Sequence, residues 1–382
     1  MRAIGVASLI AAASCSAGSA AGGRPNLDGA ANLDGAANLD AAPNVDAATT
    51  RDPLRWPFAP ASIWNTPVGS GAVYVPAQIT PATAAGMTVD QDLIVMRPSA
   101  PVLAIMTNTA DWNNTMDRCP ASAPTLFSAP VPDDFVFMPV LPNTPNASTA
   151  ILAADGRTLK QTQPFSRCTA GGPATSHYDS ADVDIAGDGI TGAHGGSGLS
   201  AIGGTLRLGE LRPGGPPVRH ALKVELDAAL NYGRCTSYSS CYRWPAVQAD
   251  TYATTGYGGP NPALEPGALL AIPIGTDVAS LGLETAAAAA LAFTLQNYGA
   301  YVVDDAAWAV YALCVELGPD GDFTQQFQSD WGFSVTSPSK NTPWARDMDR
   351  LFGALAVVDN NAAGTIGGGG TPLQPPAPPL AL

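Results

Sequence analysis

Most of the chain alternates apolar and polar residues over short segments that end in turn-forming residues. Residues 150–154 and 158–161 flank the pair Asp155-Gly156. Because an Asp-Gly pair readily adopts the left-handed backbone of a tight turn, this pattern predicts a β-hairpin. Related patterns recur between residues 52 and 361, so we expect a protein rich in strands and turns.

A second hairpin is predicted from residues 204–211 and 218–226, which flank a turn rich in Pro and Gly. Strict alternation places Glu210 and His220 on the apolar faces of its two strands. With the turn centred on Gly215, these two residues lie opposite each other. A Glu–His pair with little access to water can transfer protons, but a structural pair that fixes the strand register fits equally well.

Two segments depart from the strand pattern and predict helices. Residues 284–297 are rich in alanine and precede Gly299, a typical C-terminal cap, whereas residues 344–355 follow Thr342-Pro343, a typical helix start. The whole pattern predicts a mainly β fold, with a β-sandwich or jelly-roll core and a small α+β appendage near the C-terminus.

The two ends of the chain differ from this pattern. Residues 1–15 combine Arg2, a short apolar run and Cys15, which is typical of a signal peptide followed by a lipid-accepting cysteine. Cleavage without lipidation, near Ala17 or Ala21, is the alternative. We expect residues 16–51, which repeat Asn-Leu-Asp-Gly-Ala-Ala, to be a flexible tether. Residues 52–361 are expected to form one globular domain, and residues 362–382, rich in Gly and Pro, to be disordered.

Charge and location narrow the classes of function. The chain has 18 Lys and Arg residues against 32 Asp and Glu residues, a formal net charge of −14. Such a field repels nucleic acid, which argues against a nucleic-acid-binding protein. We expect an exported protein, either an outer-membrane or cell-surface lipoprotein held by its lipid anchor or a freely secreted protein. The sequence makes no prediction about the oligomeric state.

The cysteines beyond Cys15 fit an exported chain, in which thiols oxidise where geometry allows. Cys235 and Cys241 enclose a short polar loop and are expected to form one disulfide; a Cys119–Cys168 disulfide is the next prediction. Cys314 falls on an apolar strand, where a buried inert thiol is favoured over a nucleophile.

Carboxylates, a histidine and many glycines meet in residues 182–204. The segment contains Asp182, Asp184, Asp188 and His194, and its glycines let the backbone approach a ligand closely. We therefore expect it to form a pocket wall. The Asp spacing loosely resembles a calcium loop but lacks the closing bidentate glutamate. No metal or other cofactor is expected, with calcium as the alternative.

Aromatic residues fall largely in segments rich in Gly, Pro and Ser, where rings often stay accessible. Sugar rings stack against such side chains, and a few polar groups fix their orientation. The candidates for substrate binding are Trp64, Tyr242 and Trp244, with Arg243 beside them. For Trp64 and Trp244, packing in the core is the favoured interpretation.

Six short motifs stand out between residues 58 and 304. They are Phe58-Ala-Pro-Ala-Ser-Ile-Trp-Asn-Thr-Pro67, Gly198-Leu-Ser-Ala-Ile-Gly-Gly204, Leu208-Gly-Glu-Leu211, His220-Ala-Leu222, Tyr242-Arg-Trp-Pro-Ala246 and Tyr298-Gly-Ala-Tyr-Val-Val-Asp304. With these motifs the chain resembles a family of uncharacterised exported bacterial proteins. Its members pair a glutamate that ends one strand with a histidine that opens the next, as Glu210 and His220 do, and they often carry a histidine near the position of Asn146. The resemblance extends over most of residues 58–361 and implies no particular activity.

The favoured hypothesis is a carbohydrate-active enzyme, a glycoside hydrolase or polysaccharide lyase. In it Glu210 and His220 handle protons beside Asp184 and His194, while Asp182 and Asp188 bind substrate. The negative charge favours a neutral glycan over a polyuronate. The alternatives are a non-catalytic glycan-binding lipoprotein and a structural protein of the outer envelope.

Overall fold

The computed structural model describes residues 50–113, 115–138 and 145–381. The signal peptide, the lipidation of Cys15 and all but the last two residues of the tether lie outside the described residues. Arg51, assigned to the tether, belongs to the domain instead. Its backbone pairs with Leu380, and its buried guanidinium donates to the carbonyl oxygens of Trp56, Pro57 and Phe58.

The described chain is mainly β, with a small helical part toward the C-terminus, as predicted. Its strands are β1 (Tyr74–Pro76), β2 (Thr88–Val95), β3 (Val102–Thr107), β4 (Ser122–Pro130), β5 (Thr149–Leu152), β6 (Thr158–Gln163), β7 (Ala174–Ser176), β8 (Tyr178–Asp179), β9 (Val183–Asp184), β10 (Thr191–His194), β11 (Leu222–Leu226), β12 (Leu269–Ala271), β13 (Ala300–Asp305), β14 (Tyr311–Gly318), β15 (Gly321–Asp322) and β16 (Ala356–Val358). Its α-helices are α1 (Ala228–Asn231), α2 (Ala253–Gly256), α3 (Ala286–Asn297), α4 (Phe323–Trp331) and α5 (Pro343–Ala354), and 3₁₀ turns span Tyr238–Ser240, Val278–Leu281 and Ile366–Gly368.

Twelve strands form one large mixed sheet, and three form a small one. The large sheet has the order β1-β16-β12-β13-β11-β14-β2-β5-β6-β8, with β15 paired to β14 and β9 paired to β6. The small sheet has the order β4-β3-β7. The pairs β11–β13, β14–β2 and β2–β5 are parallel. The pattern of hairpins in the sequence gave no sign of these parallel pairs.

The two faces of the central strands bury different residues. On β11, Leu222, Val224 and Leu226 join an apolar core with the buried faces of α3, α4 and α5. Lys223 and Glu225, which alternate with them, lie on the opposite face. That face is covered by loop residues such as Trp64 and Leu199. The side of the sheet that faces the loops therefore holds the buried charges.

The predicted helices are confirmed, and one of the two predicted hairpins is confirmed. Thr285 caps α3 and Thr342 caps α5, each through its hydroxyl oxygen, and Gly299 beyond α3 has a φ of +74°. Strands β5 and β6 pair antiparallel around Gly156, whose φ is +68°. Helix α4 was not predicted.

The prediction of a second hairpin is wrong. Residues 204–211 form turns and an isolated bridge, and a strand begins only at Leu222. Leu222–Leu226 pairs with β13 and β14 instead of folding back on residues 204–211. The physical reason is that the apolar face of β11 finds its partners in distant strands, which local alternation does not identify.

The prediction of a disordered C-terminal tail is also wrong for residues 362–381. The backbone of Gly369 accepts from Gly71, Leu373 donates to Val68, and Ala381 donates to Arg51. The glycines there approach the backbone of other segments: a Cβ added to Gly368 would lie 2.5 Å from the Cα of Ala72. Gly and Pro in this segment thus fit a closely packed extended chain rather than a flexible linker.

Both predicted disulfides, Cys119–Cys168 and Cys235–Cys241, are present, and Cys314 is a buried free thiol. Two disulfides are typical of a protein that folds outside the reducing cytoplasm. Among the residues described, helices long and apolar enough to span a membrane are absent.

Candidate functional site

Charged side chains converge on the loop-facing side of the large sheet. Asp90 and Asp92 are two residues apart on β2, and so are Lys223 and Glu225 on β11. The two side chains of each pair therefore point to the same side of their strand. Strand β14 lies between them and contributes Cys314, whose register partner on β2 is Asp90. The sheet thus places acidic, basic and thiol groups next to one another.

A bulge and a covering strand complete the cluster. The register between β11 and β13 shifts after Val224, which brings Asp304 opposite Glu225. From the short strand β10, the fully buried His194 lies across these groups. We name this group the His194 cluster; it comprises Asp90, Asp92, His194, Lys223, Glu225, Asp304 and Cys314.

His194 is the hub of the cluster. Its Nε2 lies 3.7 Å from Asp90 Oδ2, 3.6 Å from Asp92 Oδ1 and 3.7 Å from Glu225 Oε1. Its Nδ1 lies 3.3 Å from Asp304 Oδ2 but has no hydrogen-bond partner with good geometry among the described residues. A buried imidazole with an unpartnered nitrogen among four carboxylates is unusual, because buried polar atoms are normally hydrogen-bonded.

Lys223 neutralises only part of this charge. Its Nζ lies 2.8 Å from Asp92 Oδ2 and donates to the carbonyl oxygen of Ser200 at 3.0 Å. The hydroxyl of Thr205 also donates to Asp92 Oδ2, at 2.7 Å. By contrast, Asp92 Oδ1 has no hydrogen-bond partner among the described residues. One Asp92 oxygen is therefore fully satisfied, while the other faces His194 unsatisfied.

Burial shifts the protonation of the cluster. It raises the pKa of Glu225 well above its usual value, and the charges of Asp90 and Asp304 raise it further. Burial likewise raises the pKa of Asp304 to about 7 and lowers the pKa of His194 to about 4. At neutral pH the imidazole is therefore neutral and can act as an acceptor or a ligand.

Asp250 extends the cluster toward the surface. It is partly exposed, and the hydroxyl of Tyr257 donates to its Oδ2 at 2.8 Å. Burial raises the pKa of Asp250 to about 7, with the charge of Asp304 as the next contribution. Close by, the half-exposed Tyr252 donates from its hydroxyl to Asp305 Oδ2 at 2.7 Å. The accessible edge of the cluster is thus formed by the carboxyl groups of Asp250 and Asp305 and the ring of Tyr252.

The glycine-rich segment lies directly against this edge. A Cβ on Gly196 would lie 2.6 Å from Asp304 Oδ1 and 3.3 Å from Asp250 Oδ2. The absence of a side chain at Gly196 therefore allows its backbone to approach both carboxylates.

Further aromatic and polar residues flank the cluster on its other side. The hydroxyl of Tyr178 donates to the carbonyl oxygen of Ala193, next to His194, at 3.2 Å. The ring of Trp112, about one-third exposed, lies 6.3 Å from that of Tyr178. Asn146 donates to Asp90 Oδ2 at 3.2 Å.

Glu210 and His220 are in contact, as predicted, although the hairpin that suggested it does not exist. His220 Nε2 lies 3.1 Å from both carboxylate oxygens of Glu210, and its Nδ1 lies 2.9 Å from the carbonyl oxygen of Ala221. The amide of Arg207 donates to Glu210 Oε2 at 2.7 Å. Burial lowers the pKa of His220, but the charge and hydrogen bond of Glu210 outweigh it, so the pKa is raised overall.

The acidic residues of the glycine-rich segment have separate roles. Asp184 pairs with Arg157 at 2.7 Å, and Asp182 pairs with Lys160 at 2.6 Å, all at the surface. The side chain of the exposed Asp188 accepts from the backbone of Ile190. Among the described residues, hydrogen bonds and ion pairs join none of these aspartates to the His194 cluster. Asp184 and His194, grouped together by the sequence hypothesis, are therefore in different surroundings.

The predicted substrate-binding aromatics are largely packed. Trp64 is fully buried, and its Nε1 donates to the carbonyl oxygen of Gly189 at 2.7 Å. Trp244 and Tyr242 are partly buried against the apolar cores. The guanidinium of Arg243 donates hydrogen bonds to the side chain and the carbonyl oxygen of Asp359. These contacts make Trp64 a core residue, and they agree with the preference for core packing at Trp244.

Sequence reasoning missed most of the His194 cluster. The missed residues do carry a signal, because charged residues alternate with apolar ones inside otherwise apolar strands, as in Leu222-Lys-Val-Glu-Leu226. A charge on a central strand needs a buried partner. The other missed residues are Asp90, Asp92, Asp250 and Asp304.

Comparison of the chain with models of known protein families, with curated proteins and with solved structures finds no match.

Proposed function

We propose that this chain is an exported enzyme that cleaves a neutral glycan at the accessible edge of the His194 cluster. The observation that carries the proposal is the pair of carboxyl groups, Asp250 and Asp304, held together beside Gly196. Glycoside cleavage in most families uses two carboxyl groups, one that donates a proton and one that acts as a base or nucleophile. This site replaces Glu210 and His220 as the proposed centre.

Asp250 is the proposed proton donor. It is partly exposed, and with a pKa of about 7 it is protonated in about half of the molecules at neutral pH, where an ordinary aspartate is ionised. A general acid works best when its pKa lies near the working pH. Tyr257 holds the carboxyl in place through a hydrogen bond, and Asp304, which accepts from the amide of Asp305, supplies the second carboxyl group.

Partly exposed aromatic rings near the cluster support binding of sugars. Tyr252 is 46% exposed beside Asp305, and Trp112 is 36% exposed beside Tyr178. Such rings stack on the C–H faces of sugars. The acidic cluster and the net charge of −14 favour a neutral polymer, since a polyuronate would be repelled.

Export and anchoring are part of the proposal. The apolar run before Cys15 is typical of a lipoprotein signal peptide, and the two disulfides fit folding outside the cytoplasm. A lipid on Cys15 would place the domain at the membrane surface, within reach of extracellular polysaccharides. Mass spectrometry of the mature N-terminus tests this: a diacylated Cys15 supports it, and an unmodified N-terminus near Ala17 or Ala21 contradicts anchoring.

The function is tested by product release from a panel of neutral and acidic polysaccharides. We expect the full chain to release oligosaccharides from a neutral polymer and Asp250→Asn to release at least ~100-fold less, the usual contribution of a general acid. Asp320→Asn is the matched control, because Asp320 is exposed, pairs with Arg97, and among the described residues forms no ion pair with the His194 cluster. It should match the wild type.

Two outcomes would contradict the proposal. Equal release of oligosaccharides by wild type and Asp250→Asn would show that Asp250 is not the proton donor. Retention on one polysaccharide with no release by the wild type would show a glycan-binding protein and no enzyme.

A further inference from the structure

We propose that His194, Asp90, Glu225 and Cys314 bind one Zn²⁺ ion in the interior of the domain. The four residues offer an imidazole nitrogen, two carboxylate oxygens and a thiol sulfur, and all four donor atoms lie within 4.8 Å of one another. This inference goes beyond the proposed glycan cleavage and does not depend on it.

The spacing of the donor atoms fits a tetrahedral ion. His194 Nε2 lies 3.5 Å from Cys314 Sγ and 3.7 Å from both Asp90 Oδ2 and Glu225 Oε1. Cys314 Sγ lies 3.7 Å from Glu225 Oε1. Tetrahedral zinc with bonds of 2.0–2.3 Å holds its ligand atoms about 3.3–3.7 Å apart. Four of the donor separations therefore already fall in or near the range of a shared coordination shell.

An unpartnered buried carboxylate oxygen is independent support for a bound cation. Asp92 Oδ1 is fully buried, lies 3.6 Å from His194 Nε2 and has no hydrogen-bond partner among the described residues. A buried carboxylate oxygen without a donor costs free energy. A cation among the four ligands would lie close to this oxygen and stabilise it.

The charge of the cluster also favours a cation. Asp90, Asp92, Glu225 and Asp304 lie in this cluster with one basic side chain among the described residues, Lys223, whose Nζ pairs with Asp92. A divalent cation between the ligands would offset this excess of negative charge.

The donor set selects zinc among common divalent ions. Calcium and magnesium prefer oxygen ligands throughout, whereas zinc binds mixtures of nitrogen, oxygen and sulfur. The thiol of Cys314 is the donor that favours zinc over calcium and magnesium. The sequence predicts that Cys314 is an inert core thiol, but its buried sulfur lies beside His194 and Glu225.

The test is metal analysis of the full chain, followed by titration of the chelator-treated protein with Co²⁺. We expect one zinc ion per chain and one bound Co²⁺ with a sulfur-to-cobalt charge-transfer band. Cys314→Ser, which preserves the size of the side chain, should abolish that band and weaken Co²⁺ binding at least ~10-fold. Glu225→Gln should weaken binding and keep the band, while Asp320→Asn should leave both unchanged.

Other outcomes overturn the site. Absence of stoichiometric zinc together with absence of Co²⁺ binding would show that protons alone balance the cluster. A charge-transfer band that persists in Cys314→Ser would place the ion elsewhere. Thermal unfolding of each metal-free variant shows whether it is folded, and only folded variants are compared. Glycan release plays no part in these readouts, so failure of the proposed enzyme and failure of the metal site are distinguishable.

Discussion

The two buried histidines, His194 and His220, meet acidic partners in opposite ways. Both ring nitrogens of His220 face acceptors, and Glu210 is held in turn by the amide of Arg207. His194 faces four carboxylates, yet within the described part of the chain its Nδ1 has no hydrogen-bond partner, and neither does Asp92 Oδ1 beside it. A satisfied pair stabilises a fold, whereas a buried polar group left unsatisfied requires another explanation, such as catalysis or a bound ion. We therefore propose a structural role for His220 and a functional role for His194.

The largest expected effect is on stability and concerns the charge balance of the His194 cluster. Lys223→Met removes the lysine that pairs with the fully buried Asp92. Loss of one partner of a buried ion pair costs about 3–5 kcal/mol, so we expect a decrease of that size in the free energy of unfolding, measured with urea. Adding Asp92→Asn should recover much of the loss. No recovery in the double variant would show that the lysine stem, and not its charge, is what matters.

The next effect concerns the close approach of the glycine-rich segment. Gly196→Ala would place a Cβ 2.6 Å from Asp304 Oδ1 and 3.1 Å from its Cα, so the carboxylates must move. Displacement of catalytic groups by about 1 Å can lower turnover ~100-fold, and we expect such a loss in glycan release. Gly275→Ala is the control, because no atom lies within 4 Å of its Cβ position. Equal activity of the two variants would show that the close approach of Gly196 does not position the catalytic carboxyl groups.

A smaller effect is expected at the Glu210–His220 pair. Glu210→Gln should lower the free energy of unfolding by about 1–3 kcal/mol at pH 6, because it weakens a buried charged hydrogen bond. Since the folded-state pKa of His220 is raised, the contribution of the pair is full below the ordinary histidine pKa and is lost as pH rises through the raised value. The difference from wild type in urea unfolding should therefore shrink at pH 9. A difference that grows with pH would contradict the charged pair.

The smallest effect is the pH dependence that Asp250 contributes to stability. Its folded-state pKa of about 7 exceeds the ordinary value, so its contribution is full below about pH 4 and is lost as pH rises through 7. The groups that face it are Asp304, Asp305 and Tyr257. The free energy of unfolding of Asp250→Asn, measured relative to wild type, should rise by about 1 kcal/mol or more between pH 5 and pH 8. An equal difference between variant and wild type at the two pH values would show that Asp250 has the pKa of an ordinary carboxylate.

Local patterns were enough to predict the elements whose chemistry is local. The Asp155-Gly156 hairpin, the capped helices α3 and α5 and the short-loop disulfide Cys235–Cys241 all follow from neighbouring residues. The mixed sheet does not, because its parallel pairs join strands far apart in the chain. The C-terminal tail shows the same limit, since its packing depends on Gly71 and Val68, about 300 residues away.

The candidate site was predictable only in part. His194 and the glycine-rich segment were singled out, because a histidine among glycines stands out in the sequence. The carboxylates around it come from β2, β11 and β13, and only the sheet order brings them together. The strand alternation and the assumed turn at Gly215 predict a contact between Glu210 and His220, and that contact is real, but it arises from turns and not from a hairpin.

The most direct test compares Asp250→Asn with Glu210→Gln on the polysaccharide that the wild type degrades. The account predicts that Asp250→Asn loses at least ~100-fold in turnover while Glu210→Gln, once folded, stays close to wild type. Loss of turnover in Glu210→Gln with full activity in Asp250→Asn would contradict it and return the reaction to the Glu210–His220 pair.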